Sequence, residues 1–210
     1  AADALQNSFY LGPISSEISP TVKQMQFSYV QLAALELGKT SFRAFAQRPY
    51  HHKTSFLMYT SSRCLKHREA AFDMFASISS ISAGGKCHGD ASKYEEVTES
   101  GVHRGNPGWK SAHTLFTDYK FALVMENTKT PGYITEKILN AFIAGCVPIY
   151  YGTEDVFKVF NKDAFVYFDE NFPEKALKQV KHMMTDAADY EWKRKQPILA
   201  EGALSKYFSL

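Results

Sequence analysis

The chain has 210 residues, with 24 Lys and Arg against 22 Asp and Glu and a net charge of +2. A balance this close to zero excludes a sequence-independent nucleic-acid binder, because neutralising phosphates needs a clear basic excess. The apolar fraction of 45% and aromatic fraction of 14% supply a large core, three cysteines are too few for a disulfide scaffold, and no stretch approaches the roughly 20 apolar residues of a membrane-spanning helix.

The first 25 residues place Gly, Pro and Ser at irregular spacing (Gly12-Pro13, Ser19-Pro20) and read as a loop or loosely attached lead-in. The stretch that begins Ala1-Ala2-Asp3 does not read as a signal peptide, and no Asn-x-Ser/Thr sequon occurs. Between Met25 and Phe45 the apolar spacing predicts a helix in the middle part, ending near Gly38. Thr54–Thr60, with Phe56–Tyr59 at its centre, reads as a buried strand, followed by a turn at Ser61–Cys64. His67–Ile78 has helical spacing, with Ala71, Phe72, Phe75 and Ile78 on one side. A short strand starting at Ile81 closes at Gly84-Gly85, and residues 84–112 read as a long surface loop rich in Gly, Ser, Lys and His.

Tyr119–Met125 is a second buried-strand run, followed by a polar loop from Asn127 to Gly132. Ile134, Ile138 and Phe142, with Leu139 and Ile143, predict a helix that is apolar around much of its girth, with Gly145 as its C-terminal cap. Val147–Gly152 is the next strand. The remainder alternates between a short helix (Glu154–Phe160), a strand (Ala164–Phe168) and helices over Glu174–Met184 and residues 187–195, before a tail to Leu210. Strands that alternate with helices and are continuously apolar indicate an α/β fold: a Rossmann-like parallel sheet with helices on both faces. Such sheets bind ligands beyond the C-terminal ends of their strands.

That rule directs attention to Tyr119–Gly152. Glu126 and Asn127 lie at a strand's C-terminal end, and Tyr133, Glu136 and Lys137 lie at the start of the next helix. Lys137 breaks a local rule, because the helix dipole disfavours a cation in the first turn. An anion bound there would remove the conflict. So would water around the ammonium, or pairing of Lys137 with Glu136 or Glu126.

The segment resembles the signature of the α1,3/α1,4-fucosyltransferase family. The matching residues are Tyr119-Lys120-Phe121, Glu126-Asn127-Thr128, Tyr133-Ile134-Thr135-Glu136-Lys137 and Ala144-Gly145-Cys146-Val147-Pro148-Ile149, with Met125 where Phe is usual. Upstream, Ser62-Arg63-Cys64, Arg68-Glu69 and Gly84-Gly85-Lys86-Cys87 resemble a second family stretch, with Arg63 and Ser82 as departures. The likeness is good over about residues 54–170 and loose beyond.

The resemblance implies the donor half of an inverting GT-B glycosyltransferase, with residues 51–210 as a GDP-fucose-binding domain and residues 1–50 as a lead-in or remnant of the acceptor side. It implies that Arg68 and Lys137 grip the diphosphate and stabilise it as a leaving group, and that Asn127, Tyr133 and Glu136, with Glu126 beside them, line the donor pocket. The donor substrate would be GDP-fucose and the partner a glycan acceptor, with fucose passing to a hydroxyl in α1,3 linkage and inversion at the anomeric centre. No cofactor is implied: no Asp-x-Asp triplet occurs, so basic side chains would stand where other transferases use a metal.

The family's general base lies in an acceptor-binding domain. Roughly 50 residues precede Thr54, below the usual ~100 of a domain, and Glu17 and Glu36 there have no recognisable context. The alternative is a nucleotide-sugar-binding module without turnover. A third reading is the nucleotide domain of another GT-B transferase. Family positions also imply a Cys64–Cys87 disulfide, and with it a Golgi or secretory lumen, with membrane attachment only through an anchor outside this chain; a bacterial cytoplasm is the alternative. Cys64, His67, Cys87 and His88 present a competing zinc set, although the adjacent Cys-His pair is unusual for one. Cys146 reads as a buried small hydrophobe. His51, His52, His103, His113 and His182 form no constellation.

Overall fold

The structure, a computed structural model, describes residues 29–31, 34, 52–89, 94–96 and 112–208. Six strands form one sheet: β1 (Ser55–Ser61), β2 (Ile81–Gly85), β3 (Tyr94–Glu96), β4 (Tyr119–Met125), β5 (Val147–Tyr151) and β6 (Val166–Tyr167). Their order is β3-β2-β1-β4-β5-β6, and every neighbouring pair is parallel. The helices described over their full length are α1 (Lys66–Ala76), α2 (Glu136–Ile143), α3 (Val156–Val159), α4 (Pro173–Thr185), α5 (Ala187–Lys195) and α6 (Ala203–Tyr207).

The alternation along β4 shows why its apolar run is continuous. Phe121, Leu123 and Met125 face a core completed by Ala71, Phe72 and Phe75 of α1 and by Ala176, Val180 and Met183 of α4. Ala122 and Val124 face the opposite core, which holds Ile138, Leu139 and Phe142 of α2. Both sheet faces are therefore covered, as the sequence predicts. Burying side chains the size of Ile138 and Phe142 contributes about 1.5–3 kcal/mol each, which outweighs the weak intrinsic preference of an eight-residue helix.

The end of α2 is sharply defined. Gly145 has φ +75°, its N–H donates to the Phe142 carbonyl at 2.9 Å, and the Cys146 N–H donates to the Ala141 carbonyl at 3.0 Å. This left-handed cap turns the chain straight into β5.

Three expectations change. The stretch 84–112, read as loop throughout, contains β3 paired with β2, and a 3₁₀ turn over Ala112–Phe116 adjoins it. The strand expected over Ala164–Phe168 shrinks to Val166–Tyr167, because Lys162–Ala164 forms a 3₁₀ turn capped by the Asn161 side chain. The tail carries α6, which rests on buried Ala203 and Tyr207. Of the helix expected between Met25 and Gly38, Tyr29–Gln31 and Ala34 are described and helical. Val30 and Ala34 enter the same core as α2, Tyr207 and Phe208, and Gln31 donates to the Tyr207 carbonyl. The calls on Glu17, Glu36, His51 and His103 lie outside the described residues.

Candidate functional site

The strand order reverses between β1 and β4, so the crevice at their C-terminal ends is the topological switch point of the sheet. Arg68, in the first turn of α1, lies across it and is 3% exposed. Its Nη1 donates to Ser61 Oγ at 3.1 Å and to the Arg63 carbonyl at 3.3 Å, on the β1 side. Its Nη2 donates to the Met125 carbonyl and to Asn127 Oδ1, both at 2.7 Å, on the β4 side. Burial lowers the Arg68 pKa from its ordinary value, but a guanidinium stays charged at neutral pH. The planar fork thus spans both halves of the sheet.

Asn127 continues the chain of contacts. Its Nδ2 donates to the Tyr133 hydroxyl at 3.4 Å. The Tyr133 ring meets the Tyr29 ring edge-on, with centroids 5.4 Å apart. Tyr29 is 55% exposed, so it brings an open aromatic face to the rim of the site. Sequence reading had no way to find this neighbour, because the pairing depends on how the N-terminal helical residues dock.

The other cation sits at the start of α2. Thr135 caps the helix, and the Lys137 N–H donates to its hydroxyl at 3.5 Å. The Lys137 ammonium lies 3.2 Å from Glu126 Oε2, 3.0 Å from Thr135 Oγ1 and 3.8 Å from Glu136 Oε1. Its conflict with the helix dipole is met by the Glu126 carboxylate, one of the alternatives open at the sequence level. Lys137 remains 30% exposed and Glu136 25% exposed, whereas Glu126 is 0% exposed. Burial raises the Glu126 pKa above its ordinary value, and Lys137 and the Thr135 donors oppose that rise.

The loop between these cations is held from below. Gly132 has φ +75°, a conformation that glycine adopts freely. Its N–H donates to Asp155 Oδ2 at 2.7 Å, and the Lys158 ammonium sits 2.6 Å from Asp155 Oδ1. Gly152, which follows β5, is needed for space: a Cβ there would lie 2.3 Å from the Tyr150 hydroxyl.

A second cluster adjoins the crevice. The His67 ring packs on Tyr151 with centroids 4.6 Å apart. The Tyr151 hydroxyl donates to Glu170 at 3.2 Å, and Lys129 lies 5.1 Å from the Tyr151 ring centre and 3.5 Å from both Asp169 and Glu170. Burial, then repulsion from Arg68, lowers the His67 pKa. The sequence marks His67 only as a candidate zinc ligand, and no local spacing reveals its place beside Tyr151.

Cys64 and Cys87 form a disulfide with Cα atoms 5.1 Å apart. This corrects the zinc alternative, since the two sulfurs are bonded to each other and offer no thiolate. Glu69, whose carboxylate lies within 4.8 Å of these sulfurs, instead accepts from the Tyr59 hydroxyl at 3.0 Å and from the His88 and Gly89 N–H groups at 3.1 and 2.7 Å. The disulfide and Glu69 together pin the end of β2 to the start of α1. Cys146 is fully buried, with its thiol toward the Phe116 and Tyr119 carbonyls. His52 and His182 are exposed and His113 is half-buried, and His182 lies 3.8 Å from Asp186.

Comparison with known proteins places this arrangement. The family described as "Glycosyltransferase family 10 (fucosyltransferase) C-term" matches residues 50–205. An alpha-(1,3)-fucosyltransferase of Helicobacter pylori is 38% identical over 100 residues, covering 46% of this chain and 21% of that protein. An alpha-(1,4)-fucosyltransferase of Arabidopsis thaliana is 31% identical over 116 residues, covering 51% of this chain and 28% of that protein. A crystal structure of an alpha1,3-fucosyltransferase with GDP-fucose superposes with a TM-score of 0.53 at 24% identity, covering 79% of this chain and 43% of that one. The chain thus spans less than half the length of these relatives. It belongs to glycosyltransferase family 10, the fucosyltransferases, and residues 50–205 form the family's C-terminal domain.

Proposed function

We propose that this chain binds GDP-fucose in the crevice between β1 and β4 and serves transfer of fucose, with inversion, to a hydroxyl of a glycan acceptor in α1,3 linkage. The observation that carries the reading is that two cations meet the chain just beyond the C-terminal end of β4, Arg68 on Asn127 and Lys137, at the N-terminus of α2, on Glu126. Open parallel sheets bind nucleotides at this position. In a displacement of this kind negative charge builds on the departing diphosphate. Lys137 and the positive end of the α2 dipole would stabilise it as it forms. Arg68 would add charge and hold Asn127 in place. Tyr133 and the partly exposed Glu136 would line the ribose and sugar side. The acceptor's proton requires a general base, which is not among the residues assigned to this site.

No helix among the described residues is long and apolar enough to cross a membrane. The Cys64–Cys87 disulfide supports an oxidising compartment such as a secretory lumen, with any membrane anchor outside this chain.

A nucleotide-sugar-binding module without turnover is the second reading. A transfer assay with GDP-fucose and N-acetyllactosamine separates the two: fucosylated product supports the transferase, and GDP-fucose binding without product supports the module. Equal binding of GDP, UDP and ADP would overturn the guanine-nucleotide reading.

A further inference from the structure

Glu126 stands apart from the other residues of the site because no part of it reaches solvent. Its Oε1 accepts from the Thr135 N–H at 2.7 Å and lies 2.9 Å from Thr135 Oγ1. Its Oε2 lies 2.8 Å from Thr135 Oγ1 and 3.2 Å from the Lys137 ammonium. All these contacts converge on two residues at the mouth of α2, and the carboxylate has no surface left for a ligand. The backbone behind it is fixed as well: the Glu126 N–H donates to the Tyr151 carbonyl at 2.8 Å, one step beyond the β4–β5 ladder.

We infer that Glu126 is a positioning residue: it does not touch the donor but, with Thr135 fixed beside it, seats the Lys137 ammonium so that this cation presents a preformed grip to a diphosphate. The inference rests on the donor reading above and reassigns one residue within it. A buried ion pair is a poor source of stability, because desolvation offsets most of the Coulomb attraction. What it supplies is geometry, since a flexible four-carbon lysine stem otherwise spreads its charge over many rotamers. Two acceptor oxygens are required here. A glutamine in the same place would set its NH₂ against either the Thr135 N–H or the Lys137 ammonium, and its neutral carbonyl would hold the ammonium less firmly than a carboxylate does. An aspartate keeps the charge but is one methylene short.

A double-mutant cycle on GDP binding by the 210-residue chain tests this, using Glu126→Gln, Lys137→Met and the double variant, with folding checked by circular dichroism and thermal melting. The expected result is about a tenfold loss of GDP affinity in each single variant and no further loss in the double, since Glu126 acts through Lys137. Losses that multiply in the double variant, or a Glu126→Gln protein that binds GDP as wild type does, would overturn the positioning role while leaving the donor reading intact. Absence of GDP binding by the wild type would overturn the donor reading and this inference with it. If Glu126→Gln does not fold, the same cycle with Glu126→Asp decides: a coupled loss supports the role, and multiplied or absent losses overturn it.

Discussion

Asn127 Oδ1 accepts a hydrogen bond from Arg68 Nη2 at 2.7 Å, and this contact ties the helix after β1 to the loop after β4. Two elements 59 residues apart in sequence thus share one planar cation at the point where the sheet changes direction. Replacing Arg68 by lysine keeps the charge but cannot span Ser61, the Arg63 and Met125 carbonyls and Asn127 together. Arg68→Lys is expected to lower stability by about 1–3 kcal/mol through the acceptors left buried, and to weaken GDP binding in step. Urea unfolding and calorimetry check the two effects.

Lys137→Ala removes the cation beside a fully buried carboxylate. The Glu126 pKa already lies above the ordinary value of 4.5 because of burial, with Lys137 pulling it down, so the variant raises it further. A carboxyl whose folded pKa is raised is favoured protonated in the fold, and its contribution to stability falls as pH rises above the unfolded value. The penalty of Lys137→Ala should therefore be larger at pH 8 than at pH 5. Chemical unfolding at the two pH values measures it, and an equal penalty at both would contradict the pairing.

His67 has the opposite dependence. Burial first, and Arg68 second, hold its pKa below the ordinary 6.5. The unfolded chain takes up this proton before the folded chain does, so stability is full above about 6.5 and declines as pH falls below it. Wild type should lose stability between pH 7.5 and 5.5, and His67→Gln should lose less over the same interval. Parallel pH series of unfolding midpoints give the comparison.

The disulfide closes a loop of 23 residues' separation. A loop of this size is expected to contribute about 3 kcal/mol, and it also restrains the start of α1 that carries Arg68. Reduction, or the Cys64→Ser/Cys87→Ser variant, should lower the melting temperature and weaken GDP binding. A chelator such as EDTA should change neither, because the sulfurs bind each other rather than a metal. Melting curves with dithiothreitol and with EDTA distinguish the cases.

Much of the fold was legible because its strands and helices announce themselves by period. Residues 121–125 are apolar throughout, which suits a strand covered on both faces, and both faces are covered. β3 was not legible, because Tyr94–Glu96 is a three-residue edge strand in a polar stretch and owes its existence to pairing with β2. The site was legible as a list of residues but not as a set of roles. Tyr133-Ile134-Thr135-Glu136-Lys137 locates the α2 N-terminus from sequence alone. Nothing in the string Glu126-Asn127 says that one side chain turns inward to full burial while its neighbour faces Arg68. That difference arises where the strand ends, and only the three-dimensional packing of Thr135 and Lys137 against Glu126 resolves it. Tyr29 and the His67–Tyr151 pair are missed for the same reason: their contacts join distant segments and leave no local spacing to read.

Arg68 and Lys137 are proposed to form a diphosphate site at the switch point. Calorimetric titration with GDP and with guanosine, on wild type and on an Arg68→Ala/Lys137→Ala variant shown to be folded, tests it most directly. The account predicts that wild type binds GDP much more tightly than guanosine, and that the double variant loses most of this difference. Equal affinity of wild type for GDP and guanosine, or GDP binding that survives in the double variant, would contradict it.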